Sequence, residues 1–501
     1  MADTKREIER KYEATTDTAV PDLTRVPGVA RVLDAGTADL DAVYYDTPGL
    51  RLAAHSVTLR RRTGGADEGW HLKLPVGPGV RDEIAAPLAD EVPEALAALV
   101  RARTRADTLT PVVRLRSSRD VRHLLDDDGA LLAELSTDTV HAERLTDDGS
   151  TARWTEIEVE LADDGDPALL DAVEKRLRKA GIRPAASPSK LARALEETGA
   201  PPPAPHPAGP DDTAGGHVLA YLRAQTDKLL THDAGLRRDE PEALHDLRVA
   251  ARRLRSALRS HRKVLDRAAT DPLVRELRWL GRELGVDRDH EVLDARLRAA
   301  LDTVPGTLQL GPVRGRLRRW SAAHRAGSRG HLLEVLDSDR YLALLDRLDA
   351  LLADPPLRPA AAKSPEKVLA KAVLKEHARV AARVDRALAL DPGADRDVAL
   401  HEARKAAKRA RYTAELAVPA LGGPARRLAK DMKALQRLLG DHQDSVVARR
   451  ALRELAVQAN GAGESSFTWG LLHAREEAEA AARERELPDT WARVRTRGIG
   501  S

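Results

Sequence analysis

The chain has 501 residues, 42% hydrophobic and 32% charged, enough to bury more than one core, and its 82 Lys and Arg against 79 Asp and Glu leave a formal charge of only +3. Zero cysteines exclude disulfides, thiolate metal sites and cysteine nucleophiles, so any metal falls to carboxylate or imidazole, which favours magnesium or manganese over structural zinc. No apolar run reaches the roughly 18–20 residues of a membrane span, the polar N-terminal stretch lacks the apolar centre of a secretory signal, and 3% aromatics argue against base-stacking surfaces for single-stranded nucleic acid, so the expected location is cytoplasmic.

Residues 1–197 read as strands joined by turns. In Glu7-Ile8-Glu9-Arg10-Lys11 a period of two puts Glu7, Glu9 and Lys11 on one face, the glutamates roughly 7 Å apart and able to converge on a hard cation, with the lysine able to meet a phosphate. In isolation Glu7 and Lys11 also suit an i,i+4 pair on a helix. The turn signals that follow favour strand. Val43–Tyr45 runs into Asp46-Thr47-Pro48-Gly49, and Val57–Thr63 runs through Gly64-Gly65-Ala66-Asp67-Glu68-Gly69 into Trp70–Leu74, a hairpin with Arg60 and Arg62 on one face of its first arm and His71 and Lys73 on one face of its second. Arg81 and Glu83 alternate next, then Arg114 and Arg116, with Arg119 just beyond. Glu134 shares a side with Asp138, and Trp154–Leu161 alternates strictly, placing Glu156, Glu158 and Glu160 together. Solvated faces mix signs, whereas Glu7/Glu9 and Glu156/Glu158/Glu160 are all-acidic groups and Arg60/Arg62 and Arg114/Arg116 all-basic ones. Asp166–Ala180 and Pro188–Glu197 read as amphipathic helices, the first stopped by Gly181.

Glu7-x-Glu9-x-Lys11, Tyr45-Asp46-Thr47, Leu59-Arg60-Arg61-Arg62, Lys73, Glu156–Glu160 and Ser189-Lys190, in this order over about residues 3–197, resemble the CYTH family of triphosphate tunnel metalloenzymes. The resemblance implies a closed antiparallel barrel whose bore binds a linear triphosphate. It implies Glu7, Glu9 and two of Glu156, Glu158 and Glu160 as metal ligands for Mg2+ or Mn2+, and Asp138 as a ligand or as the group that orients the attacking water. It also implies Arg60, Arg62, Lys73, Lys190, Lys11 and one of Arg116 or Arg119 on the phosphates.

Residues 198–216, with Pro201-Pro202-Pro203, Pro205, Pro207, Pro210 and Gly215-Gly216, read as a linker. From 217 to 495 the period is helical, and the segment repeats itself: Ala243-Leu244-His245-Asp246-Leu247-Arg248 through Arg255 recurs as Ala399-Leu400-His401-Glu402-Ala403-Arg404 through Arg411, and Leu284-Gly285 with Asp289 recurs as Leu439-Gly440 with Asp444. The halves run over about 217–350 and 363–495. On a 3.6-residue period His245, Arg248, Arg252 and Arg255 share a face beside an apolar stripe of Leu244, Leu247, Ala251, Leu254 and Leu258. The second copy shows His401, Arg404, Lys408 and Arg411, with Arg253, Lys405 and Arg409 widening the ridges. Two unrelated solvent faces need not match position by position. These residues resemble the CHAD domain, which implies paired helical bundles around a basic groove that binds inorganic polyphosphate; Lys408 departs from the arginine of the first copy.

The expected fold class is therefore α+β multidomain: an antiparallel β-barrel with flanking helices, then an all-α double bundle with an internal two-fold repeat. The expected function is metal-dependent hydrolysis of inorganic triphosphate or of short or terminal polyphosphate, with polyphosphate held by the helical domain and an association with polyphosphate granules. Nucleic acid and membrane are not expected partners. A non-enzymatic polyphosphate-binding protein and an adenylyl cyclase acting on ATP are the alternatives.

Overall fold

The computed structural model describes residues 3–146, 149–200, 212–325 and 328–495, so most of the expected linker, 201–211, lies outside the described residues. The chain forms two compact units, Met1–Pro205 and His206–Ser501. Among the described residues no helix is long and apolar enough to cross a membrane.

Eight strands make the first unit: β1 (Asp3–Ala14), β2 (Arg31–Asp46), β3 (Thr58–Thr63), β4 (Gly69–Gly77), β5 (Val80–Ala86), β6 (Thr110–Leu125), β7 (Leu131–Arg144) and β8 (Thr151–Leu161). They close into a barrel in the order β1-β5-β4-β3-β2-β6-β7-β8, every pairing antiparallel. Closure satisfies the backbone of both edge strands and gives every strand an inside and an outside. The β3–β4 hairpin turns through Gly64 and Gly65, both at positive φ, and a Cβ on Gly64 would lie 2.2 Å from the Asp39 carbonyl oxygen, so no larger residue fits this approach to β2. At the end of β2 the fully buried Asp46 accepts backbone N–H groups from Thr47 (2.7 Å), Leu52 (2.9 Å) and Ala53 (2.9 Å), which shapes the turn and starts the short helix α1 (Arg51–Ala54).

Helix α2 (Glu94–Thr104) joins β5 to β6. The outer faces of β1, β6, β7 and β8 supply Tyr12, Leu124, Leu135, Ile157 and Val159 to a core completed by Leu170, Val173 and Leu177 of α3 (Ala168–Lys179). The inward residues divide the interior in two. Ala42, Tyr44, Val113, Leu115, Val140, Ala142 and Trp154 fill one end together with Leu191, Ala194 and Leu195 of α4 (Lys190–Glu197). The other end is lined by charge. Helix α4 starts where Ser189 accepts the Ala192 N–H at 3.1 Å, and its first residue, Lys190, faces that charged half.

The second unit is helical: α5 (Ala214–Arg237), α6 (Ala243–Ser260), α7 (Arg267–Glu283), α8 (Val286–Asp302), α9 (Val313–Arg325), α10 (Ser328–Asp337), α11 (Asp339–Ala353), α12 (Pro365–Leu388), α13 (Ala394–Leu421), α14 (Gly423–Gly461) and α15 (Phe467–Arg495). The repeated segments fall on α6 and α13. Their buried faces are Leu247, Ala250, Ala251, Leu254 and Leu258 in one and Leu400, Ala403, Ala406, Ala407 and Ala410 in the other. Leu244, expected in that stripe, is only half-buried, and Ala243 is buried at the start of the helix instead. The first copy breaks between α7 and α8 at Leu284-Gly285, whereas the second runs unbroken through Leu439-Gly440 in α14. Gly215 and Gly216, expected in the linker, are buried in the first turn of α5; a Cβ on Gly215 would lie 3.0 Å from the Ala361 Cβ, so the glycine permits a close approach.

Trp70, fully buried with Nε1 donating to the Ala89 carbonyl at 2.9 Å and its ring centroid 4.8 Å from that of Tyr45, braces the outer face of β4. Trp70→Ala should destabilise the barrel by about 3–5 kcal/mol, read as a lower urea midpoint in a titration followed by circular dichroism.

Candidate functional site: a charged bore and a basic ridge

Because register fixes which residues share a face, the ladder carries the site from strand to strand. Lys11 pairs with Glu158, Glu9 with Glu160, and Glu156 with Asp138, which pairs in turn with Arg119. On the opposite wall Lys73 lies beside Thr58 and Glu83, and Arg60 beside Tyr44 and His71. All of these side chains point inward, and they line one cavity of about 650 Å³ except Asp138 and Glu156, which sit behind Lys190.

The carboxylate wall is tightly knit. Asp138, fully buried, accepts from Arg119 Nε (2.7 Å) and Nη2 (2.8 Å); Glu158 accepts from Arg119 Nη2 (3.0 Å) and from Lys11. The Lys190 ammonium lies 2.9 Å from Asp138, 2.8 Å from Glu156 and 2.6 Å from Glu158, and Trp154 Nε1 donates to the other Glu156 oxygen at 2.6 Å. Burial works to lower the Lys190 pKa, but the carboxylates of Asp138, Glu158 and Glu156 outweigh it and hold the ammonium above its ordinary value. Burial likewise works to raise Glu158, yet Lys11, Lys190 and Arg119 hold it well below the usual range. Asp138, Glu156 and Glu158 can each turn one oxygen to within 4.8 Å of the others, a hard, buried, all-oxygen donor set suited to magnesium or manganese, with a lysine ammonium standing among them as the compensating cation.

Further along the same face Lys73 donates to Glu7 at 2.5 Å and Lys11 to Glu9 at 3.0 Å. Burial and the neighbouring Glu83 carboxyl push Glu7 up to about 8 against the pull of Lys73, whereas His71 (2.9 Å), Lys73 and Arg60 hold Glu83 below the usual carboxylate range despite its burial. Across the cavity Arg60 reaches the Tyr44 hydroxyl at 3.5 Å and lies 3.6 Å from Glu83. Arg62 pairs with Asp67 of the β3–β4 turn; burial, Arg60 and Arg119 push its guanidinium down to about 9.

Not every expected residue enters the bore. Arg116, one of two arginines expected on the phosphates, points out of the barrel: it is even-numbered on a strand whose odd residues face inward, and it lies 3.8 Å from Asp41 and 3.9 Å from Glu143. Arg119 takes the inward place. Arg114 is likewise outside, bonded to Asp41. Glu160, by contrast, lines the bore at its solvent end, 2.8 Å from Lys5. The bore also contains residues not expected there: Tyr44, His71, Arg81 and Glu83. The alternation of Arg81 and Glu83 carried the signal for two of them. Arg81 donates to the Pro188 carbonyl at 2.7 Å and so ties β5 to the start of α4.

In the helical unit α6 packs against α13. The ridge arginines lie the same way in both copies. A Cβ on Gly285 would be 3.6 Å from Arg248 Nη2, and one on Gly440 would be 3.5 Å from Arg404 Nη2, so each Leu-Gly pair offers bare backbone against which a guanidinium rests. Part of the ridge has more acidic relief than its sequence suggests. Glu415 accepts from Arg253 (2.9 Å) and Arg411 (2.7 Å), both about Tyr412; Glu376 accepts from Arg409 (2.5 Å); Lys405 pairs with Glu402. His245 is exposed, and burial with Lys405 nearby lowers the pKa of His401. Arg252, Arg255 and Lys408 have no carboxylate within ion-pair distance among the described residues. A second cluster, Asp397, His442 and Glu484, is charge-balanced, with Arg449 on Asp397 and Arg396 on Glu484, both at 3.0 Å.

The CYTH domain model matches residues 5–195 and the CHAD domain model residues 220–453. An uncharacterized protein of Mycobacterium tuberculosis, found in two strains, is 41% identical over 499 residues, covering 96% of this chain and 94% of the relative. Among solved structures, PptA from Streptomyces chartreusis is 25% identical, with a TM-score of 0.47, covering 56% of this chain and 99% of that one. The CHAD domain from the plant Ricinus communis is 27% identical, with a TM-score of 0.45, covering 58% and 94%.

Lys190→Met should leave three buried carboxylates without their central cation, at a cost of about 3–5 kcal/mol. Thermal unfolding in EDTA should show the drop and added manganese should recover part of it; a melting temperature indifferent to manganese would mean that these carboxylates do not take a metal.

Proposed function

The chain belongs to the proteins that join a CYTH domain to a CHAD domain, and from that premise we propose that its barrel hydrolyses inorganic triphosphate or the terminal phosphate of polyphosphate while its helical unit binds inorganic polyphosphate. CYTH domains are metal-dependent and act as triphosphatases or cyclase-like enzymes. The observation that carries the narrower reading is the two-sided bore: Glu7, Glu9 and Glu158, with Asp138 and Glu156 behind Lys190, stand on one side and Arg60, Arg62 and Lys73 on the other, and the far end of the interior is filled by apolar side chains and α4.

That arrangement suits a linear, multiply charged chain entering end-on. Cations and carboxylates nearly balance along the lining, so a polyanion requires further positive charge. Asp138, Glu156 and Glu158 would hold a divalent cation, with Glu7, Glu9 and Glu160 along the same face; when bound, the ion supplies charge compensation to phosphate oxygens and lowers the pKa of water. Arg60, Arg62 and Arg119 offer planar forks that grip phosphate oxygens bidentately, and Lys73, Lys11 and Lys190 add point charges. Arg119 fixes the Asp138 carboxylate through two hydrogen bonds, so its orientation is set before substrate arrives. The alternative role of Asp138, accepting a hydrogen bond from the attacking water and so orienting it, needs that same orientation. On the ridge, Arg252, Arg255 and Lys408 are cations in search of anionic partners, and a polyphosphate chain supplies them with release of counterions.

Phosphate release from tripolyphosphate, ATP and long polyphosphate tests the barrel. Wild type with magnesium or manganese should release phosphate from tripolyphosphate, EDTA should abolish it, and Glu7→Ala/Glu9→Ala should lower it at least about a hundredfold. His245→Ala/Arg252→Ala should keep tripolyphosphate turnover and lose affinity for long polyphosphate. No release from any of the three would rule out the hydrolase, and cyclic AMP formed from ATP would make the bore a cyclase.

A further inference from the structure

One turn beyond the matched stretch the two copies of the ridge part in sign. In the register that sets Arg253 against Arg409 and Arg255 against Arg411, Arg259 of α6 falls opposite Glu415 of α13. Each lies four residues past the last ridge arginine of its copy, on the same helix face. Glu415 accepts from Arg411 of its own helix at 2.7 Å and from Arg253 of α6 at 2.9 Å, and both guanidiniums lie 5.5 Å from the centre of the Tyr412 ring. A carboxylate thus bridges two arginines, one from each copy.

Exchanging the copies turns that bridge into its opposite. Arg255 takes the part of Arg411, Arg409 that of Arg253, Arg259 stands in place of the carboxylate, and Ser256 in place of Tyr412. Burial first, then Arg259, with Arg252 and Arg278 of α7 behind it, lowers the pKa of Arg255; burial first, then Arg409, lowers that of Arg259. Neither Arg255 nor Arg259 has a carboxylate within ion-pair distance among the described residues. Glu376 of α12 relieves one side only, since its two oxygens are engaged by Arg409, at 2.5 Å, and by Arg379. Three cations are therefore gathered where the other copy holds an anion, and Arg259 is exposed, so solvent reaches them. An oxyanion with several acceptor oxygens meets what their planar forks lack.

We propose that Arg255, Arg259 and Arg409 form a phosphate subsite of the helical unit, in which one phosphate group of a polyphosphate chain bridges the three arginines as the Glu415 carboxylate bridges Arg411 and Arg253. This rests on the reading of the ridge as a polyphosphate site. It also gives the bound chain a direction. Arg252 and Arg259 are seven residues apart on α6, about 10 Å along the helix, so a chain lying on the centre of the ridge reaches the subsite by running out over the first copy. Over the second copy Glu415 opposes it.

Isothermal titration of the full chain with long polyphosphate, in EDTA so that the barrel does not shorten it, tests the subsite over a series of salt concentrations. Arg259→Glu, which installs the residue of the second copy, should bind at least about tenfold more weakly, and Arg259→Gln should lower the slope of log affinity against log salt by about one. Thermal unfolding without ligand should place Arg259→Glu at or above wild type, because the new carboxylate relieves Arg255 and Arg409; the lost affinity then cannot come from lost folding. Orthophosphate, which gains nothing from the rest of the ridge, should need at least about a hundredfold higher concentration than the chain. Equal affinity and salt slope in wild type and both variants would overturn the subsite and leave the polyphosphate site standing. Orthophosphate binding as tightly as the chain would make this a site for the free ion and overturn its part in the chain. No binding of polyphosphate by wild type would overturn both readings.

Discussion

Glu158 is the residue on which the bore depends. Its carboxylate meets Lys11, Lys190 and Arg119, three cations from three elements, and a buried cation cluster of that kind is tolerable only around a shared anion. Through Lys190 it is tied to the first residue of α4; through Arg119 it reaches Asp138; through Lys11 it reaches Glu9. The carboxylate wall around Glu158 is thus a single network rather than a set of separate pairs. Its groups hold one another in place until something of higher charge enters. The same network explains the shifts of Glu158 and Lys190 in opposite directions: against burial, Lys11 ahead of Lys190 holds Glu158 ionised, and Asp138 ahead of Glu158 holds Lys190 charged.

The helical unit uses the opposite strategy. The barrel matches almost every cation with a carboxylate, whereas the ridge is matched in part, at Glu415, Glu376, Glu402 and Asp444, and leaves Arg252, Arg255 and Lys408 without one among the described residues. The repeated Leu-Gly pair is part of that arrangement, because a bare glycine backbone lets the guanidiniums of Arg248 and Arg404 approach it closely in both copies. A matched bore admits an anion by exchanging partners. An unmatched ridge attracts one at a distance.

Much of this was legible in the residues because strands and helices have fixed periods. The period of two placed Glu7, Glu9 and Lys11 on one face, and Glu156, Glu158 and Glu160 on another, and the barrel bears both groupings out. The duplication was visible position by position, and α6 and α13 carry it. What period alone cannot supply is which face is inside. Arg114 and Arg116 alternate as faithfully as Arg60 and Arg62, but they lie on the outer face, where Asp41 and Glu143 satisfy them. The inward side of β6 is set by its pairing with Ala38 and Ala42 of β2, a long-range fact. Glu83 and His71 escaped for a related reason: their importance comes from Glu7 and Arg60, which reach them only when the sheet closes. The acids that relieve the ridge, Glu376 and Glu415, lie on α12 and in the last turns of α13, too far along the chain for local spacing to connect them with Arg409 and Arg253.

The apolar filling behind Lys190 gives the barrel one mouth instead of two. A blind chamber imposes an order of traffic. For a phosphate chain that enters end-on, the unit cut from its tip lies deeper than the stub that remains, so the stub must withdraw before the fragment can leave. Under the proposed hydrolysis each cut would then be followed by a complete release, and a population of chains would shorten together, step by step, rather than one chain being consumed to its end while the others wait.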